Sequence, residues 1–196
     1  MRTLQPRLAA PRIAPLEPSD WDEDAMAVMA PDRRPPAFGT PEAPVFTVFK
    51  TMANHPKLVK RISGWGGHVL FKSSLSPRHR EMAILRTGWV CRAPYEFAHH
   101  RELALAEGAV SQADIARLQE GPAAVGLDAH EAALLAAVDE LVGDHFIGDA
   151  TWTVLARSFD TRQLMDLVFC VGHYAMMCAA LNTFGVQLEA QFETAD

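Results

Sequence analysis

The chain has 196 residues, with 18 lysines and arginines against 24 aspartates and glutamates, a formal net charge of -6. That acidic balance, without a block of like charge, argues against nucleic-acid and anionic-membrane binding, while 49% hydrophobic and 21% charged residues argue against global disorder. Three cysteines (Cys91, Cys170 and Cys178) form no framework in a chain this long, which points to a reducing, cytoplasmic compartment.

Residues 1–44 hold nine of the thirteen prolines, including Pro35-Pro36, and read as an extended N-terminal arm. The opening MRTLQPRLAAPRIAPLEP lacks an apolar core, so a secretory leader is not expected. Within the arm, Ser19-Asp20-Trp21-Asp22 reads as a capping box opening one short helix over Glu23 to Met29. Residues 45–196 form the expected helical domain. Val45, Val48, Phe49 and Met52 make a first stripe that ends at His55-Pro56. Leu58, Ile62, Trp65, Val69 and Leu70 make the second, weakened or closely packed at Gly64, Gly66 and Gly67. Gly64-Trp65-Gly66-Gly67 follows no strand and precedes no Lys-Ser/Thr, so it is not a phosphate loop.

Ser76-Pro77 caps a helix running through Met82, Leu85, Trp89 and Val90, and Pro94 opens the next, through Phe97 and Leu103 to Gly108. Ser111 with Asp114 and Asp128 with Glu131 read as capping boxes. Asp149 and Asp160 read as caps of a short helix and of a long final one reaching about Glu189. The apolar run Leu164 to Leu181 carries Asp166 and His173 and reads as a buried helix rather than a membrane span. The pattern predicts an all-α fold.

The chemistry concentrates in residues 81–100, EMAILRTGWVCRAPYEFAHH. Glu96 and His100 are four apart and share one helical face. Glu81 lies on the preceding helix, which a turn through Arg92-Ala93-Pro94 folds back beside them. With Pro94 as first helical residue, Glu96 falls in the first turn, where free amides favour its carboxylate. An imidazole in contact with that carboxylate gains basicity and handles protons near neutral pH.

This segment resembles the carboxymuconolactone decarboxylase family, which includes the alkylhydroperoxidase D proteins. The resemblance spans roughly residues 45–190, is strongest over Leu75–Gly108, and returns at Leu181–Glu189. It implies an alkylhydroperoxidase D-like helical bundle, assembly as a trimer or hexamer, and a site near subunit contacts. In the peroxidase branch a glutamate precedes a Cys-x-x-Cys pair, with a histidine four residues after the second cysteine. Glu81 and His100 match the outer two positions, but the cysteine positions fall on Ala93 and Glu96. Thiol peroxidase chemistry by that route is therefore not expected. Glu96-Phe97-Ala98-His99-His100 instead resembles the Glu-x-x-x-His of the decarboxylase branch, which does not usually carry the acid at Glu81 or the proline-rich arm.

The expectation is a cofactor-free acid–base enzyme acting on a small carboxylated or lactone-like molecule by decarboxylation or related lyase, hydrolase or isomerase chemistry. Glu81, Glu96 and His100 are its candidate catalytic residues; Arg86, Trp89, Tyr95 and His173 are the candidate substrate contacts. An intramolecular salt bridge is the alternative for Arg86, and core packing for Trp89, Tyr95 and His173. Adjacent His99 and His100 point to different faces, and no ligand signature joins them to His145 or His173, so no metal is expected. Two other readings are a residual thiol activity using Cys91 and a non-catalytic oligomeric scaffold in which the arm wraps a neighbouring subunit.

Overall fold

The structure, a computed structural model, describes residues 4–29 and 44–193. Pro35-Pro36 lies outside the described residues. After a short turn of tight helix at Pro18–Asp20, the described chain forms α1 (Glu23–Met29), α2 (Thr47–Met52), α3 (Pro56–Phe71), α4 (Pro77–Val90) and α5 (Pro94–Ala106). Then follow α6 (Gln112–Glu120), α7 (Ala129–Asp144), α8 (Asp149–Leu155), α9 (Thr161–Phe184) and α10 (Ala190–Glu193). The fold is all-α.

Helix α4 is the axis. Every residue from Glu81 to Gly88 is buried, because α5, α6, α7 and α9 all pack against it. Met82, Ile84 and Leu85 join Leu134, Leu135 and Val138 of α7 and Leu167 and Val171 of α9 in the main core. Each such side chain contributes about 1.5–3 kcal/mol when removed from water. A helix enclosed this fully has no solvated face, so Glu81 and Arg86 must find their partners inside the protein.

Local capping follows the sequence closely at several ends. The Ser76 hydroxyl accepts from His79 N, Pro77 sits in the first turn, and Ser111/Asp114 and Asp160/Gln163 form reciprocal capping boxes. Asp22 caps α1 by accepting from Ala25 N at 2.7 Å, whereas Ser19 and Asp20 belong to the preceding tight turn or its edge. Asp128 caps α7, but Glu131 turns away to bind Arg78 at 2.8 Å instead of closing the box. The cap of α8 is Gly148, with Asp149 already helical. The last long helix stops at Phe184 rather than near Glu189, because Gly185 takes a left-handed conformation (φ 71°) that ends it.

The N-terminal segment lies on its own chain. Arg12 N donates to Phe184 O at 2.8 Å and Leu16 N to Lys50 O at 3.0 Å. Trp21, Ala25 and Met29 then bury against Val45, Ala53 and Val59 in a second apolar cluster. Helix α9 is long and apolar enough to cross a membrane by length and composition, yet it packs into the body against α4 and α7.

Candidate active site

The turn from α4 to α5 decides the site. Arg92 adopts φ 50°, reversing the chain within three residues. A Cβ at Gly88 would lie 3.4 Å from Phe97 N, at the edge of ordinary contact, which shows how closely the two helices pass here. That closeness brings residues nineteen positions apart into contact.

His100 is held at both ring nitrogens. Nδ1 lies 2.9 Å from Glu81 Oε2, and Nε2 lies 3.1 Å from Glu96 Oε1. All three are buried: Glu81 is 0% exposed, His100 6% and Glu96 8%. Arg80 Nε donates to the other Glu81 oxygen at 3.1 Å. Tyr174 of α9 meets the imidazole edge-on, with ring centres 4.9 Å apart. Burial alone would strip the proton from His100, but the charges and hydrogen bonds of Glu81 and Glu96 outweigh it and raise its pKa to about 10. Glu81 moves the opposite way: burial favours the neutral acid, while His100 and then Arg80 hold it below the ordinary carboxylate range. The two opposite shifts favour an imidazolium paired with the Glu81 carboxylate near neutral pH.

Glu96 and His100 open onto a cavity of about 610 Å³, whereas Glu81 lies behind them and does not line it. Its wall is mostly apolar, with Phe46, Phe49 and Met52 on one side and Leu70 and Met177 on others. Val28 and Met29 of α1 help close it. The described lining residues include no lysine or arginine; its carboxylates are Glu96 and Glu102.

Of the candidate substrate contacts, Tyr95 and His173 reach this cavity. His173 Nε2 would lie 3.1 Å from a Cβ placed on Gly66, which locates the glycine-rich stretch of α3 at the cavity wall. Its buried Nδ1 has no hydrogen-bond partner. Burial lowers its basicity; Glu96 opposes this and the His100 charge reinforces it, leaving a net downward shift. A neutral imidazole thus faces the cavity near a charged one.

Arg86 and Trp89, also expected as substrate contacts, do not line this cavity. Arg86 projects to α7, where Nε and Nη2 each lie 2.7 Å from a carboxylate oxygen of Asp139, and Nη1 donates to Leu118 O at 2.8 Å. It is an internal tie, absent from the cavity wall, because helical geometry carries it around α4 from Glu81. Trp89 packs on Phe97 with ring centres 5.4 Å apart, and both join the main core instead of lining the cavity. Ala93, at one expected thiol position, is fully buried at the start of α5.

Sequence reasoning missed a second polar cluster on the rim. Glu189 accepts from Thr47 N at 2.6 Å and Tyr95 Oη at 2.9 Å, and its other oxygen lies 2.7 Å from His99 Nε2. Those contacts, His99 foremost, overcome burial and bring the Glu189 pKa down to about 2. His99 also stacks on Tyr95, ring centres 4.3 Å apart. The one sequence signal for Glu189 was its place at the end of the Leu181–Glu189 stretch; nothing in the local spacing linked it to residues ninety positions earlier.

Comparison with known proteins places this geometry in context. The model of the carboxymuconolactone decarboxylase family matches residues 56–140, a stretch containing Glu81, Glu96 and His100 but not His173 or Glu189. No curated protein matches the chain by sequence. Among solved structures, the chain is similar to an alkylhydroperoxidase AhpD core protein of Ralstonia eutropha, with 16% identity, TM-score 0.75, and coverage of 93% of this chain and 94% of that one. A peroxidase-related protein from Silicibacter gives 18% identity and TM-score 0.71 over 99% and 97% of the two chains. The debrominase Bmp8 in complex with 2,3,4-tribromopyrrole gives 15% identity and TM-score 0.75 over 92% and 93%. At these identities the likeness is one of fold.

Proposed function

We propose that this chain, whose residues 56–140 match the model of the carboxymuconolactone decarboxylase family, is a cofactor-free acid–base enzyme acting on a small, uncharged, lactone-like or ketone-like molecule. The observation that carries the reading is a buried imidazole fixed at both nitrogens by glutamate side chains and opening, with one of them, onto an apolar cavity. Polar groups so few, so buried and so convergent in an apolar hollow are the usual form of a small-molecule site.

The three groups divide the work by position. Glu81, enclosed behind the imidazole, orients the ring through Nδ1 and keeps it charged. Nε2–H faces the cavity side and is shared with Glu96. A substrate carbonyl that takes over this hydrogen bond is polarised by the imidazolium, and Glu96, released from it, accepts a proton from the adjacent carbon. Returning that proton at a different carbon isomerises the substrate. General acid–base help of this kind contributes on the order of 10²–10⁴-fold.

Charge argues about the substrate. A free carboxylate would meet Glu96 and Glu102 without an opposing lysine or arginine among the described lining residues. Isomerisation or hydrolysis of a neutral lactone is therefore favoured over decarboxylation of a free acid. The debrominase of like fold was solved with a brominated pyrrole, a small apolar ring, and an occupant of that kind suits this wall. The homo-oligomer and the cytoplasmic location expected from the sequence stand as parts of the same proposal. Met165, Phe169 and Met176, exposed along α9, are apolar surface that a second copy would cover.

Solvent exchange tests the reading. Neutral lactones and cyclic ketones incubated with the protein in deuterium oxide should take up deuterium next to the carbonyl, and Glu96→Gln should lower that rate at least a hundredfold. Exchange that is absent across such a panel, or unchanged in the variant, would reject the assignment.

A further inference from the structure

Two of the three cysteines meet across helices. Cys91 is the C-terminal cap of α4 and is half-buried; Cys178 lies on α9 and is buried. The two side chains lie within hydrogen-bonding reach of each other. A separate contact fixes the same approach: Asn182 Nδ2, one helical turn beyond Cys178, donates to Cys91 O at 3.1 Å. Residues 178 and 182 share one face of α9, so that face is turned to the end of α4. Arg7 Nη2 donates to the same carbonyl at 3.1 Å, bringing a guanidinium beside Cys91.

The two sulfurs are chemically unequal. The Cys178 hydrogen bond first, and the Arg7 charge after it, outweigh burial and hold Cys91 below the ordinary thiol range. Cys178 is pushed well above that range by Cys91 and by burial. Cys91 is half-buried and the more acidic of the two; Cys178 lies behind it, buried. Cys170 has neither feature, being fully buried with its pKa raised by that burial. Low-pKa, accessible thiols next to a second thiol are those that exchange.

We propose that Cys91 and Cys178 form a dithiol site that closes to an intramolecular disulfide when it meets a low-molecular-weight disulfide. The Cys91 thiolate attacks one sulfur of that reagent, forming a mixed disulfide and releasing one small thiolate. The Cys178 thiol, losing its proton to that thiolate or to solvent, attacks Cys91 sulfur and displaces the second small thiol. Two protein thiols are oxidised, one small disulfide is reduced to two thiols, and no other reactant enters. The product ties α9 to the α4–α5 turn. Met177, the neighbour of Cys178, and Tyr95, just past that turn, both line the cavity, so the bond acts on two of its walls.

The experiment treats the full-length protein with oxidised glutathione under native conditions, then measures free thiols, intact mass and linked peptides. Free thiols should fall from three to one, the mass should fall by two hydrogens, and a peptide pair should join Cys91 to Cys178. Cys178→Ser should stop at one glutathione on Cys91, and Cys91→Ser should leave its two remaining thiols unreacted. Circular dichroism of both variants verifies the fold. A wild-type protein that retains a stable glutathione adduct, links two chains, engages Cys170 or does not react would overturn the proposal.

Discussion

Glu81, with no exposed surface, lies 2.9 Å from Nδ1 of His100 across the α4–α5 interface, so the two helices are joined by a buried ion pair. Such a pair is costly to break by halves. Replacing Glu81 by Leu leaves His100 charged beside hydrocarbon or forces it neutral, and removal of one partner from a buried pair costs about 3–5 kcal/mol. Urea unfolding of Glu81→Leu should show that loss, and Glu81→Gln a smaller one, since the amide still accepts from Nδ1–H. A Leu variant as stable as the wild type would mean that Glu81 does not hold the helices together.

The same pair sets a pH window. His100, raised to about 10 from 6.5, contributes stability that is complete below pH 6.5 and is lost as pH rises through about 10. Glu81, lowered from 4.5, contributes stability that is complete above about pH 4.5 and is lost as pH falls through its folded value. Stability from this pair should therefore be flat between about pH 4.5 and 6.5 and decline on both sides. Denaturant midpoints across pH 3–10, compared with those of Glu81→Gln, isolate it; identical profiles would contradict the assignment.

Glu96 should behave differently from Glu81 although both touch the same imidazole. It lines the cavity and sits in the first turn of α5, where free amides support either a carboxylate or an amide oxygen. Glu96→Gln should shift the denaturation midpoint little while slowing turnover of an accepted substrate by on the order of 10²–10⁴-fold. A loss of turnover that simply followed lost stability would reduce Glu96 to a structural role.

How this site could be read in advance, and where reading stopped, follows from range. Glu96 and His100 are a helical neighbour pair, and Glu81 joins them through a turn of three residues marked by Pro94, so local rules suffice. The helix starts were legible for the same reason: Ser76-Pro77, Ser111/Asp114 and Asp160 cap through bonds no more than three residues long. Glu189 and Cys178 approach from α9 and beyond, through contacts that depend on how distant helices dock, whereas His173 was named from the sequence and lines the cavity. Arg86 was legible in part. An arginine in an apolar helix was expected to have a fixed partner, but only packing shows that Asp139, not a substrate, is that partner.

Arg86 therefore yields a prediction opposite in kind to Glu96. Its guanidinium makes a two-point contact with Asp139 and supports the Leu118 and Gln119 carbonyls at the end of α6. Arg86→Met should cost about 3–5 kcal/mol, because Asp139 and those carbonyls lose their donor together. Turnover per folded molecule should stay within about twofold of wild type, the scale of a contact outside the transition state. A stable variant with a large rise in KM would return Arg86 to the substrate.

The N-terminal segment offers the last test. Trp21 buries its ring beside Ala25, Met29, Val45 and Val59, and its Nε1 donates to Leu16 O at 3.0 Å. This one side chain fastens α1 over α3, and α1 supplies Val28 and Met29 to the cavity wall. Trp21→Ala removes a large buried ring and should cost about 3–5 kcal/mol if the body unfolds with α1. If α1 detaches alone, global stability changes little, but amides of α1 lose protection against hydrogen exchange and the cavity opens to water. Exchange measured peptide by peptide separates the two, and either outcome identifies α1 as a wall on its own chain. Retained protection over Glu23–Met29 together with unchanged stability would show that Trp21 does not anchor it.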